Sequence, residues 1–267
     1  CALPICRDGR GVRVVRALHA NGDLEAAKWE GFLTTADWQY YLLPGVAKTL
    51  QAAALSIGLA LVFGFVLGAG RLSTIRPVRW VSGIVVEFFR AVPVLIMMIF
   101  FFGIYAHNGV FDASTNPFAA VVTALMLYNG SVIAELLRSG VHSLPAGQAE
   151  AGSSIGLTPG QVLRSIQLPQ AVTAMLPALV SQLVVINKDT ALGYIITYPE
   201  LLQQSNNLAS ARSNVIPALI VAAVLFVLIN TALAWAAGRL EARLARRGQA
   251  VAKAPDVLPT DTATPAA

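Results

Sequence analysis

Cysteine is nearly missing from this 267-residue chain: Cys1 and Cys6 are the whole complement, both at the very start. No disulfide framework and no thiolate metal site follows from them. Histidine is equally thin, and His19, His107 and His142 are too scattered for metal-ligand spacing. The chain has no G-x-x-x-x-G-K-[ST] phosphate loop. These gaps predict a protein that holds no metal or cofactor and is not itself an enzyme. Charge is scarce too, at 12% of residues, where a soluble domain carries about 25%. With 56% hydrophobic residues, the solvent expected is lipid. The net charge is +5. Its basic residues stand at segment ends with no aromatics between them, which reads as loops on the cytoplasmic side and not as a nucleic-acid surface.

What is present is long apolar runs with polar punctuation. Residues 1–48 are expected to form an extracytoplasmic or interfacial segment, with Trp29, Trp38, Tyr40 and Tyr41 as a headgroup-level belt. Five spans follow, at about 49–70, 80–106, 117–138, 171–196 and 215–238, each weighed against some 20 apolar residues needed to cross hydrocarbon. The first carries Gly58, Gly64, Gly68 and Ala69 as small faces for close packing. Pro93 interrupts the second, which has its proper span at about Val92–Tyr105 after an interfacial helix. The tail, 248–267, is Ala/Pro/Thr-rich and expected to be disordered. Placing Arg71, Arg76, Arg79, Arg138, Arg164 and the arginines after 238 on one side lets the five spans alternate, with the C-terminus cytoplasmic. Arg7, Arg10, Arg13 and Arg16 conflict with that arrangement. The missing initiator methionine suggests truncation, and a lost preceding span is one remedy.

The longest polar island is 145–169. Pro145 suits a first helical turn, and Gly156 suits a left-handed stop because it lacks a Cβ. Thr158, Pro159 and Gln161 then form a T-x-x-Q capping box. Pro169 is expected to end that second helix near Leu168. The reading is helix, elbow, helix outside the hydrocarbon, a shape suited to docking.

Polar groups within the spans are the other candidates. Lys188 and Asp189 interrupt the fourth span, and Gln182 lies two turns back on the face of Asp189. They line a cavity, or the charged pair caps a broken helix at the outer surface. Tyr128 and Asn129 sit mid-span and either line the path or bond across helices. Glu135 with Arg138, and Glu87 with Arg90, stand at i, i+3. The first pair reads as a gate or a snorkelling interfacial pair, the second as a structural pair before Pro93.

These residues resemble a family. Glu150-Ala151-Gly152, Gly156 and Ile166-x-Leu168-Pro169 resemble the EAA loop in permease subunits of ATP-binding-cassette importers, with Gly152 where alanine is usual. FFRAVPVL, YNGSVIAELLRSG and NKDTALGYI resemble stretches of polar amino-acid permeases (the His/Glu/Gln/Arg/opine family), and the opening text resembles glutamate-type members. The resemblance spans roughly Thr49 to Arg247. It implies an all-α polytopic protein with the five-helix core of type I importers (MetI-like), a permease domain over 49–247, and a coupling loop at 145–169. It further implies partners: cytoplasmic ATP-binding-cassette ATPase subunits, a second, non-identical permease, and an extracytoplasmic amino-acid-binding protein. Glutamate, aspartate or a similar polar amino acid is the implied cargo, and Gln182, Lys188 and Asp189 the implied cavity lining. The competing expectation is an ion-coupled secondary transporter or channel, against which stands the lack of an internal repeat.

Overall fold

The computed structural model describes residues 19, 22, 25–30, 32 and 34–252, excluding the side chains of Ala26, Ala27, Leu240 and 243–252. Cys1, Cys6, the Arg7–Arg16 run and 253–267, where most of the expected disordered tail falls, lie outside the described residues. The principal helices are α1 (Leu43–Arg71), α2 (Arg76–Ala91), α3 (Val94–Asn108), α4 (Asn116–His142), α5 (Gly147–Ser154), α6 (Pro159–Val162), α7 (Leu168–Asp189), α8 (Leu201–Arg212) and α9 (Val215–Ala252). A π-helical turn, Trp38–Leu42, leads into α1, and a 3-10 stretch, Thr190–Ile196, follows α7. Four helical rods are long and apolar enough to cross a membrane: Thr35–Arg71, Asn116–His142, Pro159–Ile196 and Val215–Arg239.

The fifth crossing is bent. The stretch 80–106, expected to be interrupted at Pro93, forms two helices, α2 and α3, set 99° apart. Extended backbone at Val92 and Pro93 ends one helix and opens the next, because proline cannot donate to the ladder and excludes helical geometry before it. The polar residues of this stretch, Glu87 and Arg90, therefore sit on α2, ahead of the break at Pro93.

The bundle is seamed by α1 against α4, which run parallel. The buried positions of α1 include Gly45, Thr49, Ala52, Ser56, Ala60, Gly64 and Gly68, a stripe of small residues nearly every fourth position. A Cβ on Gly64 would lie 2.7 Å from both the Gly130 carbonyl and Ile133, so the backbones meet where glycine alone fits. Gly58 and Ala69, expected on such a face, point outward instead; the stripe's period puts them on the opposite side of the helix. The main core is built on α4, whose Val121, Ala124, Leu125, Ile133 and Leu137 are buried among residues of α1, α3 and α7.

The two ends of the bundle are built differently. At the end where α4 begins, Tyr198 donates to the Lys48 carbonyl (2.8 Å) and the Leu201 amide to Thr49 Oγ1 (3.1 Å). Glu200, 0% exposed, caps α8 by accepting from the Leu202 and Gln203 amides at 2.7 Å each. Arg212 donates to Asp37 (2.8 Å), closing α8 onto the segment before α1. The opposite end carries Arg71, α2, the last turns of α4, and the island.

Candidate functional site

The island follows α4 directly. Helix α5 stops in a Schellman motif: the Gly156 amide reaches the Ser153 carbonyl (3.0 Å) and the Leu157 amide the Gly152 carbonyl (3.1 Å). Gly156 has φ +85°, the left-handed conformation expected for it. The capping box also forms, with Gln161 Oε1 accepting from the Thr158 amide (2.8 Å) and hydroxyl (2.9 Å). Gly152 is buried; a Cβ there would meet Val162 at 2.8 Å and Ile166 at 3.0 Å. The glycine in place of alanine thus lets α5 press closely on the helix after the elbow. Gln170 donates to Gln148 (3.1 Å) across the same junction. Glu150 and Ala151 remain exposed, Ile166 and Leu168 are half-buried, and Pro169 is exposed.

One expectation about the island is corrected. Pro169 does not end the second helix: α6, a π-helical turn at Leu163–Gln167 and α7 form one rod that runs into the membrane. In the wide turn the Leu168 amide reaches back to Leu163. Pro169, which has no amide hydrogen, then occupies the first turn of α7, where none is needed. The second arm of the elbow is therefore the first turns of a crossing helix and not a separate short helix.

Four sequence-marked charges converge beside the island. Glu135 accepts from Arg138 (2.6 Å), pairs with Arg71 (3.1 Å) and lies 3.9 Å from Arg90; Glu87 pairs with Arg71 (3.1 Å) and lies 3.5 Å from Arg90. The two i, i+3 pairs are thus one network joining α1, α2 and α4. Its keystone, Arg71, bridges both carboxylates with a side chain only 13% exposed. Sequence reading treated Arg71 as a topological marker alone. Its partners lie 16 and 64 positions away, beyond the reach of local spacing, although two glutamates each followed by arginine at i+3 were the available signal.

The expected path residues divide among separate places. Asn129 is fully buried and donates to the Leu125 carbonyl (3.0 Å), and Gln182 donates to Asn129 Oδ1 (2.5 Å), tying α7 to α4. Tyr128, one residue away, turns to a cavity of about 390 Å³ shared with Glu87, Arg90, Val132 and Glu135. Lys188 is exposed and lines another cavity, about 490 Å³, with Ala191, Phe226, Asn230 and Thr231. Asn187 beside it donates to Asn230 Oδ1 (3.2 Å). Asp189 is half-buried. Among the described residues no group of three His, Cys, Asp or Glu side chains could hold a metal ion. Ile155, at the elbow, went unremarked in the sequence: at 76% exposure it is the most exposed large apolar side chain among the described residues. An apolar residue next to the stop glycine of a polar helix was the signal.

Comparison with known proteins bears on this arrangement. Residues 60–246 match the family described as binding-protein-dependent transport system inner membrane component. The chain is 48% identical over 243 residues to the glutamate transport system permease protein GluD of Corynebacterium glutamicum, covering 90% of this chain and 89% of the relative. It is 34% identical over 206 residues to the probable glutamine ABC transporter permease protein GlnP of Bacillus subtilis, covering 76% and 93%. Among solved structures, a chain of an amino acid ABC transporter with histidines superposes with TM-score 0.70 at 24% identity, covering 81% of this chain and 98% of that one. A chain of the inward-facing MetNI methionine ABC transporter gives 0.66 at 20%, covering 79% and 99%. Both share the fold of this chain. The chain belongs to the binding-protein-dependent transport system inner membrane component family, as a permease subunit of an amino-acid ATP-binding-cassette importer.

Proposed function

We propose that this permease carries glutamate, or an amino acid of the same polar class, inward, and that the 145–169 island couples it to a separate ATPase. The observation that carries the coupling is the elbow. Gly156 turns the chain so that Glu150, Ala151 and Ile155 stand exposed on a short helix braced by Gly152 against Val162 and Ile166. A charged residue beside an apolar one on a rigid knob suits a groove on another protein, since buried apolar anchors dominate interface energetics. Glutamate rests on the 48% identical relative, whose name states that transport.

The remaining roles follow from this reading. The Arg71, Arg79 and Arg138 end faces the cytoplasm by the excess of arginine, which puts the C-terminus inside and the Glu200 latch outside. Residues 49–247 act as the permease domain, with an amino-acid-binding protein at the outer face and a second, non-identical permease closing the path. ATP hydrolysis belongs to the ATPase partner. The Asn129–Gln182 bridge holds α4 to α7 beside the path, which Tyr128 lines from one cavity and Lys188, with Asp189 next to it, from another. An Ile155→Asp change tests the coupling: it is expected to lower co-purification of the ATPase at least tenfold with membrane insertion intact. Undiminished co-purification and uptake would show that the knob docks nothing.

A further inference from the structure

The charge network is unevenly satisfied. Arg71 and Arg138 hold their carboxylates at 2.6–3.1 Å. Arg90 lies 3.5 Å from Glu87 and 3.9 Å from Glu135, with a side chain 37% exposed. Those separations are at or beyond the limit of a hydrogen bond. Three guanidiniums share two carboxylates, so the group carries one positive charge in excess. The cation with the loosest partners is the one that lines the 390 Å³ cavity.

The cavity has a direction. Tyr128, Val132 and Glu135 line it at i, i+4 and i+7 of α4, so they form one stripe about 10 Å long at 1.5 Å per residue. It starts near the middle of the crossing helix and ends at the network beside the island. Tyr128 is half-buried at its upper end, where its hydroxyl can donate to an oxyanion or accept from an ammonium group. A volume of a few hundred Å³ suits a small ligand.

We infer that this cavity is an inner-side subsite for the side-chain carboxylate of the transported amino acid, with Arg90 as the carboxylate-binding group and Tyr128 as the second polar contact. The inference rests on the proposed transport of glutamate and assigns it a place. A guanidinium fork matches a carboxylate with two parallel hydrogen bonds. An entering carboxylate replaces long contacts to Glu87 and Glu135 with short ones, and takes from α2 its 3.9 Å contact with Glu135 of α4. Arg71 and Arg138 keep the two glutamates paired meanwhile, so the exchange leaves no bare buried charge. A neutral amide side chain of the same length would keep one hydrogen bond from Arg90 and lose the second one and the charge.

The test uses the assembled importer in nanodiscs of phosphatidylcholine, without binding protein or ATP, and measures equilibrium binding of labelled glutamate and glutamine. Wild type is expected to prefer glutamate. Arg90→Gln should weaken glutamate binding by roughly tenfold or more and remove the preference, the order expected for one charge-assisted bidentate contact. Arg90→Lys should fall between the two, and Tyr128→Phe should lose about two- to fivefold. If Arg90→Gln does not assemble, the Arg90→Lys and Tyr128→Phe values decide, and wild-type affinity in both overturns the subsite. Equal wild-type affinity for the two amino acids also overturns it. So does displacement of glutamate by phosphatidylglycerol, which would give the cavity to a lipid phosphate. A wild-type importer that takes up glutamine with its binding protein but never glutamate refutes the proposed cargo instead, a result separable from loss of the subsite alone.

Discussion

The two ends of this bundle handle carboxylates in opposite ways. At one, Glu200 is enclosed, has no arginine beside it, and is held by two backbone amides of α8. At the other, Glu87 and Glu135 meet Arg71, Arg90 and Arg138 around an open cavity next to the island. The Leu202 and Gln203 amides are fixed in direction by the first turn of α8, whereas guanidiniums on flexible side chains can exchange one carboxylate for another at small cost. The first end is built as an anchor, the second as a place where contacts rearrange. The island, which we propose as the coupling element, lies next to the second.

Breaking the elbow should have the largest effect. Gly156→Val places a β-branched residue at φ +85°, a strain on the order of 1–3 kcal/mol. Insertion is expected to survive and ATP-driven uptake to vanish, as measured with labelled amino acid in vesicles. Next comes the network. Glu135→Gln leaves Arg71, Arg90 and Arg138 crowded with one carboxylate between them. The purified protein is expected to lose several degrees of thermal stability, as breaking one side of a half-buried pair does. Asp189→Asn, within the path as proposed, should lower uptake and ATPase coupling while leaving stability nearly unchanged; unaltered transport would remove it from the path.

The smallest effect is expected at the anchored end, and it is a pH dependence. Burial pushes the Glu200 carboxyl up to about 7, while the Leu202 and Gln203 amides pull the other way. A raised value means that the folded state favours the protonated form. The cost of keeping Glu200 ionised is therefore absent well below the ordinary value of 4.5, grows as pH rises towards about 7, and is constant above. Melting curves of wild type should drop relative to Glu200→Gln across that window and run parallel outside it. Parallel curves throughout would show the carboxyl to be better solvated than its burial implies.

What could be read from the sequence divides by distance along the chain. The Gly156 stop and the Thr158–Gln161 capping box involve neighbours within three or four residues, so local chemistry determined both. The crossing helices were legible from apolar length, and the break at Pro93 from proline's missing amide. The 99° bend was not, because hydropathy carries no direction. Pro169 misled for a related reason: the rule that a helix stops before proline assumes an ordinary α-helical approach, and the π-helical turn at Leu163–Gln167 removes that assumption. Arg71 as keystone, the Asn129–Gln182 bridge, and the parting of Tyr128 from Asn129 all depend on which helices pack together. Spacing alone does not encode that.

The most direct measurement is glutamate uptake into vesicles containing this chain with and without its ATPase partner. The account predicts that uptake requires the ATPase and ATP, and that the chain alone transports nothing. Glutamate accumulation by the chain alone, driven by an ion gradient, would contradict it.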